Sequence, residues 1–297
     1  MPVLSIQNVI KEYAGHKAVN NVSFDVPQGS IFGLLGPNGA GKTSLIRIIT
    51  RITAADSGKV LLNGKDISET LIREVGYLPE ERGLYKKMMV GEQLVYLAQL
   101  KGLSKMEAAA EIKYWLEKFD IKDWWTKKIE ELSKGMQQKV QFIATVLHKP
   151  SLIILDEPFT GLDPVNTNLM KEEIYRLNAE GTSIIFSTHR MEQVEEICKD
   201  IVLIEKGQVI LTGAVGDVKE QFKENLYKIN ATQPLTHGGR AYDILSSDDE
   251  GTTIKIQSGS TSNDVLREVI QSGNVIKSYQ EVLPSLNDIF IKQINRI

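Results

Sequence analysis

The sequence predicts an α/β protein built on a mixed sheet, with an antiparallel β layer, an inserted helical subdomain and a small C-terminal α+β domain. Three observations carry this. Two apolar runs, Ile31-Phe32-Gly33-Leu34-Leu35 and Leu152-Ile153-Ile154-Leu155, read as short buried strands, and the second suits the centre of a parallel sheet. Between about residues 85 and 147 the apolar period turns helical, interrupting an otherwise α/β chain. Beyond about residue 217 the character changes again, to short strands and amphipathic helices. The expected domains are therefore 1–217, with the helical insert at about 85–147, and 218–297.

In chain order, residues 3–9 and 18–26 alternate apolar and polar side chains, as antiparallel strands do. Tyr13 lies between them. Pro27-Gln28-Gly29 turns the chain into the run at Ile31. The loop after that run, Gly36-Pro37-Asn38-Gly39-Ala40-Gly41-Lys42-Thr43, fits G-x-x-x-x-G-K-[ST], and a helical stretch opens at Ser44. A glycine-rich loop between strand and helix turns its backbone N–H groups inward, and the helix N-terminus adds partial positive charge. Glycine lets the backbone come close to phosphate. Lys42 would reach the β- and γ-phosphates of a nucleotide, and the Thr43 hydroxyl would bind Mg²⁺. Residues 36–44 form the candidate phosphate-binding set.

Val60-Leu61-Leu62 followed by Asn63-Gly64 is a hairpin signal. Residues 74–80 carry a short strand ending at Tyr77-Leu78-Pro79-Glu80. Residues 90–100 and 104–119 are helical in period. The second helix opens on Ser104 and Glu107 in capping-box spacing, and Ile112, Trp115, Leu116 and Phe119 share one face. Trp124 and Trp125 read as packing residues, and the charged segment 127–131 as a solvated face. After the strand at Leu152, a helix over about 165–179 leads to a strand over 182–187 that ends at Thr188-His189. Another helix reaches about Lys199, and 201–204 and 208–211 flank a hairpin at Glu205-Lys206-Gly207. In the C-terminal part, 226–229, 252–256 and 275–279 read as strands. A helix over 261–271 carries Val265, Leu266, Val269 and Ile270 on one face, and a last helix from Ser285 carries Leu286, Ile289, Phe290 and Ile294. The polar stretch 246–251 reads as a solvated loop, as does the turn around His237.

Asp156 and Glu157 end the second apolar run. Paired with a phosphate loop, such acids divide the work. Asp156 would hold Mg²⁺, and Glu157, pointing the other way, would polarise the water that attacks the γ-phosphate.

Composition limits the alternatives. A hydrophobic fraction of 42% and a charged fraction of 25% are those of an ordinary globular protein. A net charge of −3 without a basic block argues against nucleic acid as main partner. The single cysteine, Cys198, rules out an internal disulfide, suits a reducing compartment and reads as a small buried hydrophobe. No run approaches the ~20 apolar residues of a membrane span, and no signal pattern opens the chain, so a membrane role is expected to come through another chain.

Between the loop and the acids lies Leu132-Ser133-Lys134-Gly135-Met136. The order of phosphate loop, helical insert, Leu-Ser-x-Gly motif, strand-end acids and His189 resembles that of ABC-type ATPases over residues 1–217. The resemblance implies an ATPase using ATP and Mg²⁺, with two nucleotides sandwiched in a head-to-tail dimer. In that arrangement Ser133 and Gly135 bind the γ-phosphate held by another subunit's loop. Gly161-Leu162-Asp163 crosses the dimer interface, His189 contacts the γ-phosphate and Tyr13 stacks on adenine. Glu80 stands where the family usually has Gln, and a carboxylate there can also ligate Mg²⁺. Lys134 and Met136 replace the signature's first Gly and its Gln, so the carry-over holds at Ser133 and Gly135.

The run Glu80-Glu81-Arg82-Gly83-Leu84-Tyr85, the Leu-Ser-Lys-Gly signature and the C-terminal Pro284-Ser285-Leu286-Asn287-Asp288-Ile289-Phe290 resemble the ATPase subunits of sodium- and drug-extrusion exporters of the NatA type. That implies a cytoplasmic subunit held on the inner face of the cell membrane by an integral membrane permease. The alternative is a soluble ABC ATPase acting on ribosomes or DNA. Against it, the chain has one phosphate loop, no sustained heptads and no cysteine cluster. A P-loop kinase would leave residues 132–138 without a purpose.

Overall fold

The alternation near the N-terminus builds a hairpin. β1 (Pro2–Tyr13) and β2 (His16–Pro27) pair antiparallel and bury Leu4, Ile6, Val9, Val19, Val22 and Val26. The computed structural model describes residues 1–68, 71–81 and 83–294. After β3 (Ile31–Leu35) and α1 (Lys42–Ile49), β4 (Ser57–Leu62) and β5 (Lys65–Asp66) close the expected turn at Asn63 and Gly64. Both turn residues have positive φ, 51° and 76°, as a two-residue hairpin of this hand requires. These strands form an antiparallel layer in the order β2-β1-β4-β5.

β6 (Val75–Leu78) precedes the helical insert of α2 (Val90–Leu100), α3 (Lys105–Lys118) and α4 (Lys134–Val146). The capping box forms. Ser104 Oγ accepts from Glu107 N at 3.3 Å, and Glu107 Oε2 accepts from Ser104 N at 2.8 Å. Ile112, Trp115, Leu116 and Phe119 are all buried. Trp115 and Phe119 each meet Phe142 of α4 edge-on, with ring centroids 6.0 Å apart. Trp125 packs so closely over Gly91 that a Cβ there would lie 2.5 Å from its ring. The stretch 127–131, read as solvated, hides Ile129 at 1% exposure, while Lys127 and Lys128 face water.

β7 (Leu152–Asp156), α5 (Pro164–Ala179), β8 (Ser183–Thr188), α6 (Met191–Ile197), β9 (Asp200–Glu205) and β10 (Gln208–Ala214) complete this part. The central sheet runs β10-β9-β3-β8-β7-β6, parallel except where β10 returns on β9. Every residue of β3, β7 and β8 is buried, which is why β3 and β7 read as bare apolar runs and not as alternating ones. Fully burying each Leu, Ile or Phe side chain contributes about 1.5–3 kcal/mol, so these strands form the buried centre of this sheet. Among the described residues, no helix is long and apolar enough to cross a membrane.

The chain forms two compact units, Met1–Val215 and Gly216–Ile297. After α7 (Val215–Gln221), the second unit contains β11 (Leu226–Ala231), β12 (Tyr242–Asp248), β13 (Gly251–Ile256), α8 (Ser262–Gln271), β14 (Ile276–Val282) and α9 (Leu286–Ile294). Its sheet is antiparallel, in the order β12-β13-β11-β14, over a core that includes Ile229, Tyr242, Ile254, Val265 and Val269.

Two expectations are corrected here. Residues 246–251 are not a loop. They are the end of β12, a tight turn and the start of β13, with Asp248 Oδ1 accepting from Glu250 N at 2.9 Å and Gly251 N at 3.0 Å. β12 is an edge strand whose outer residues face water, so its polar side chains hide a strand. On α8, Val265 and Val269 are fully buried but Ile270 is 59% exposed, because one further residue turns it past the edge of the apolar stripe.

Candidate functional site

Four parallel strands bring chemistry to their C-terminal ends, the edge where open α/β sheets bind ligands. β3 runs into the glycine loop, β6 into Pro79-Glu80, β7 into Asp156-Glu157 and β8 into His189. Register sets the alignment, since Asp156 lies beside Ser187 and Leu35 beside Thr188.

The loop itself is held by close backbone contacts. Gly36 at φ 151° and Gly41 at φ 106° would each place a Cβ 2.2 Å from a carbonyl oxygen, of Ile204 and Ala18 respectively. Only glycine fits at either position. Gly41 is also the left-handed residue from which α1 starts, so the first free N–H groups of that helix open onto the cleft.

Residues 38–44, Glu80, Asp156 and Glu157 converge on a cleft of about 310 Å³, which Ala18 also lines. Lys42 Nζ donates to Gly36 O at 2.6 Å and Pro37 O at 3.1 Å, so these two residues support the lysine from beneath. Burial lowers the Lys42 pKa, against the pull of Asp156, Glu157 and Glu80. Asp156 accepts from Ser187 Oγ at 2.7 Å. Its carboxyl is pushed up, by burial first and then by Glu80 and Glu157, while Ser187 and Lys42 pull it down.

Glu157 is a non-glycine residue at φ 49°, fixed by its N–H on Ser187 O at 2.9 Å. Its Oε2 accepts from Thr188 Oγ1 at 3.1 Å and its Oε1 from His189 N at 2.9 Å. His189 Nδ1 lies 2.6 Å from the same Oε1. The His189 ring does not line the cleft but reaches it through Glu157.

Not every candidate gathers there. Tyr13 sits at the end of β1, 41% exposed, with Lys11 Nζ 5.4 Å over its ring, and is not among the residues lining the cleft. Ser133 and Gly135 also lie outside it. Ser133 caps α4, its Oγ accepting from Met136 N at 3.3 Å. Gly135 packs beside Gly161 and Leu162, whose stretch ends at Asp163, the cap of α5. Arg82 lies outside the described residues.

A family model described as ABC transporter matches residues 19–160. The ABC transporter ATP-binding protein YhaQ of Bacillus subtilis, itself uncharacterized, is 43% identical over 99% of this chain and 99% of its own length. This chain belongs to the ATP-binding proteins of ABC transporters. It is an ATP-binding, ATP-hydrolysing subunit of that family. The ATP-binding protein NatA of Bacillus subtilis is 35% identical over 74% of this chain and 88% of its own. A solved ATP-binding subunit of an ABC transporter superposes with a TM-score of 0.70 at 31% identity, covering 74% of this chain and 93% of that one. Residues 213–294 match a second model, the C-terminal domain of DrrA1-3-like ATP-binding proteins.

Sequence reasoning missed the partners of the two acids. Ser187 and Thr188 appeared only as a strand end, and the signal that finds them is the parallel register beside Asp156. It also missed Gln138 and Gln141, buried amides of α4 that donate to Pro158 O at 2.9 Å and Pro79 O at 3.3 Å. Polar residues on the inward face of an amphipathic helix are the available signal.

Proposed function

We propose that two copies of this chain close head to tail around two ATP molecules and drive export through an integral membrane permease. The observation that carries the dimer is the separation of the two phosphate-binding motifs: Ser133 and Gly135 stand outside the cleft formed by residues 38–44 of their own chain. They therefore serve the γ-phosphate of a second copy. Lys42 exchanges its bonds to Gly36 and Pro37 for phosphate oxygens. Tyr13 stacks on adenine as the copies and nucleotide assemble.

The cleft fits Mg²⁺. Carboxylates of Glu80 and Glu157 already raise the Asp156 pKa, a crowding that a divalent cation relieves. Among the described residues no group of three His, Cys, Asp or Glu could hold a metal alone, so the donor set is Thr43, Asp156 and Glu80 completed by phosphate oxygens. When bound, Mg²⁺ neutralises charge developing on the β- and γ-phosphates. Glu157 orients the attacking water and takes its proton, and His189 holds Glu157 and meets the γ-phosphate.

Partnership with a permease is supported by a second cleft of about 650 Å³, lined by Tyr77, Pro79, Glu81 and Leu84 on one side and by Leu97, Leu100 and Gln141 of the helical insert on another. It begins at the strand end that carries Glu80, so nucleotide state and an inserted permease segment meet on one loop. Docking there would hold the chain on the inner face of the membrane. Export is supported by the NatA-type resemblance and by the DrrA1-3-like C-terminal domain, for which we propose a regulatory or dimer-supporting role.

Tyr85 is 53% exposed, and its ring lies 6.1 Å from that of Tyr96 on α2. Tyr85→Ala and Leu84→Ser are expected to spare basal ATP turnover and to weaken the stimulation given by the permease that co-purifies with the chain. Undiminished stimulation would contradict the coupling role, and co-purification with ribosomes in place of membranes would contradict transport.

A further inference from the structure

α4 reaches both strand ends that carry the acids. Gln138, Gln141 and Thr145 fall at i, i+3 and i+7 and so share one face. Gln138 Nε2 donates to Pro158 O at 2.9 Å, and Gln141 Nε2 to Pro79 O at 3.3 Å. Thr145 Oγ1 donates to Gln141 O at 2.9 Å within α4 and lies 3.3 Å from Tyr77 O. Pro158 directly follows Glu157, and Pro79 directly precedes Glu80. A proline has no N–H, so its carbonyl is the only backbone group by which another element can hold it. The two amides take hold of the chain beside each acid by that one group.

Burial makes these bonds matter. Gln138 is 2% exposed and its bond to Pro158 is buried, so water cannot readily replace it; Gln141 is 5% exposed and borders the second cleft. Turning the Gln141 amide over would set its oxygen against Pro79 O, so the donor must face the carbonyl. Its Oε1 is left buried without a partner, an unfavourable arrangement for a residue that only fills space. Directly before Gln138, in the first turn of α4, Gln137 Nε2 donates to Leu132 O at 3.0 Å and Ile129 O at 3.1 Å, fastening the segment that leads into Ser133. A 13-residue helix is a rod of about 20 Å, with Ser133 at its tip and both acids attached along its side.

We infer that Gln138 and Gln141 are positioning residues that tie Glu157 and Glu80 to the helix capped by Ser133, so that both acids are set by what Ser133 engages. This rests on the roles given above to Glu80, Glu157 and Ser133. Neither glutamine touches nucleotide. Each acts through the carbonyl next to an acid, Gln141 on the metal-binding side and Gln138 on the water-activating side.

The test uses the full chain with Gln141→Met, which keeps shape and removes the donor, and Gln141→Lys, which keeps a donor. Binding of trinitrophenyl-ATP is titrated in EDTA and in Mg²⁺, and kcat and KM are measured for ATP. Gln141→Met is expected to bind as wild type in EDTA, to lose most of the affinity gained on adding Mg²⁺, and to lose about 10-fold in kcat. In a Glu80→Gln background the same substitution should change both readouts by less than about 2-fold, because its route of action is gone. Gln141→Lys should recover most of the loss. Gln138→Met should lower kcat with KM unchanged.

Equal losses for Gln141→Met with and without Glu80, or equal losses for the Met and Lys variants, would overturn the positioning role. Wild-type behaviour of Gln141→Met would overturn it too. If Glu80→Gln alone leaves the Mg²⁺-dependent gain intact, it is the assignment of Glu80 that fails. Should Gln141→Met not fold, the Lys variant and Gln138→Met still decide: wild-type kcat in Gln138→Met, or full loss in Gln141→Lys, overturns the proposal.

Discussion

Glu157→Gln is expected to lower ATP turnover by about 10²-fold or more while ATP stays bound. The carboxylate is 8% exposed and held from three sides, by Thr188 Oγ1, His189 N and His189 Nδ1. Glutamine has the same shape. Its oxygen can keep the bond from His189 N, and its amide can donate to the Thr188 hydroxyl, so the fold around it survives. What it cannot do is take a proton from water. Binding is expected to depend on Lys42 and the loop N–H groups, which the substitution leaves unchanged. Phosphate release and retention of ATP on a filter read the two properties separately, and near-normal turnover would remove Glu157 from its role.

Lys42→Ala is expected to weaken ATP binding by about 10²-fold, the scale of losing charge-assisted hydrogen bonds to the phosphates. Burial already works against the Lys42 charge, and three acids sustain it. Its Nζ is poised on the Gly36 and Pro37 carbonyls, within the loop that would wrap the phosphates. Removing it leaves those carbonyls facing the cleft, where water can replace the lost donor, so the thermal transition should move little. Titration with a fluorescent ATP analogue, beside a melting curve, checks both halves. Unchanged affinity in a folded variant would mean that the loop binds phosphate without its lysine.

The parts of the site legible in the sequence are those made by consecutive residues. The glycine loop, the lysine and Thr43 must be neighbours, because one strand-to-helix turn supplies every N–H group. Asp156 and Glu157 were legible because a bare apolar strand ends on them. The Ser104 capping box was legible for the same local reason.

What escaped depends on pairing across the chain. Ser187 becomes a partner of Asp156 only because β7 and β8 lie side by side in one register. Gln138 and Gln141 meet Pro158 and Pro79 because α4 crosses the ends of two strands that are distant in sequence. β12 escaped because an edge strand exposes most of its side chains, and polar residues there look like a loop. The exposure of Tyr13 could not be read from its position in sequence, which says nothing about what the end of the first hairpin faces.

The central claim is that Ser133 and Gly135 of one copy complete the cleft of another. The most direct measurement is the solution mass of Glu157→Gln, in which ATP persists, with Mg²⁺ and ATP, with Mg²⁺ and ADP, and without nucleotide. The account predicts twice the chain mass of 33.2 kDa with ATP alone, and the single chain mass in the other two conditions. Ser133→Arg in the same background should bind ATP yet stay single. One mass under all three conditions, or an undisturbed ATP-dependent dimer in Ser133→Arg, would contradict it.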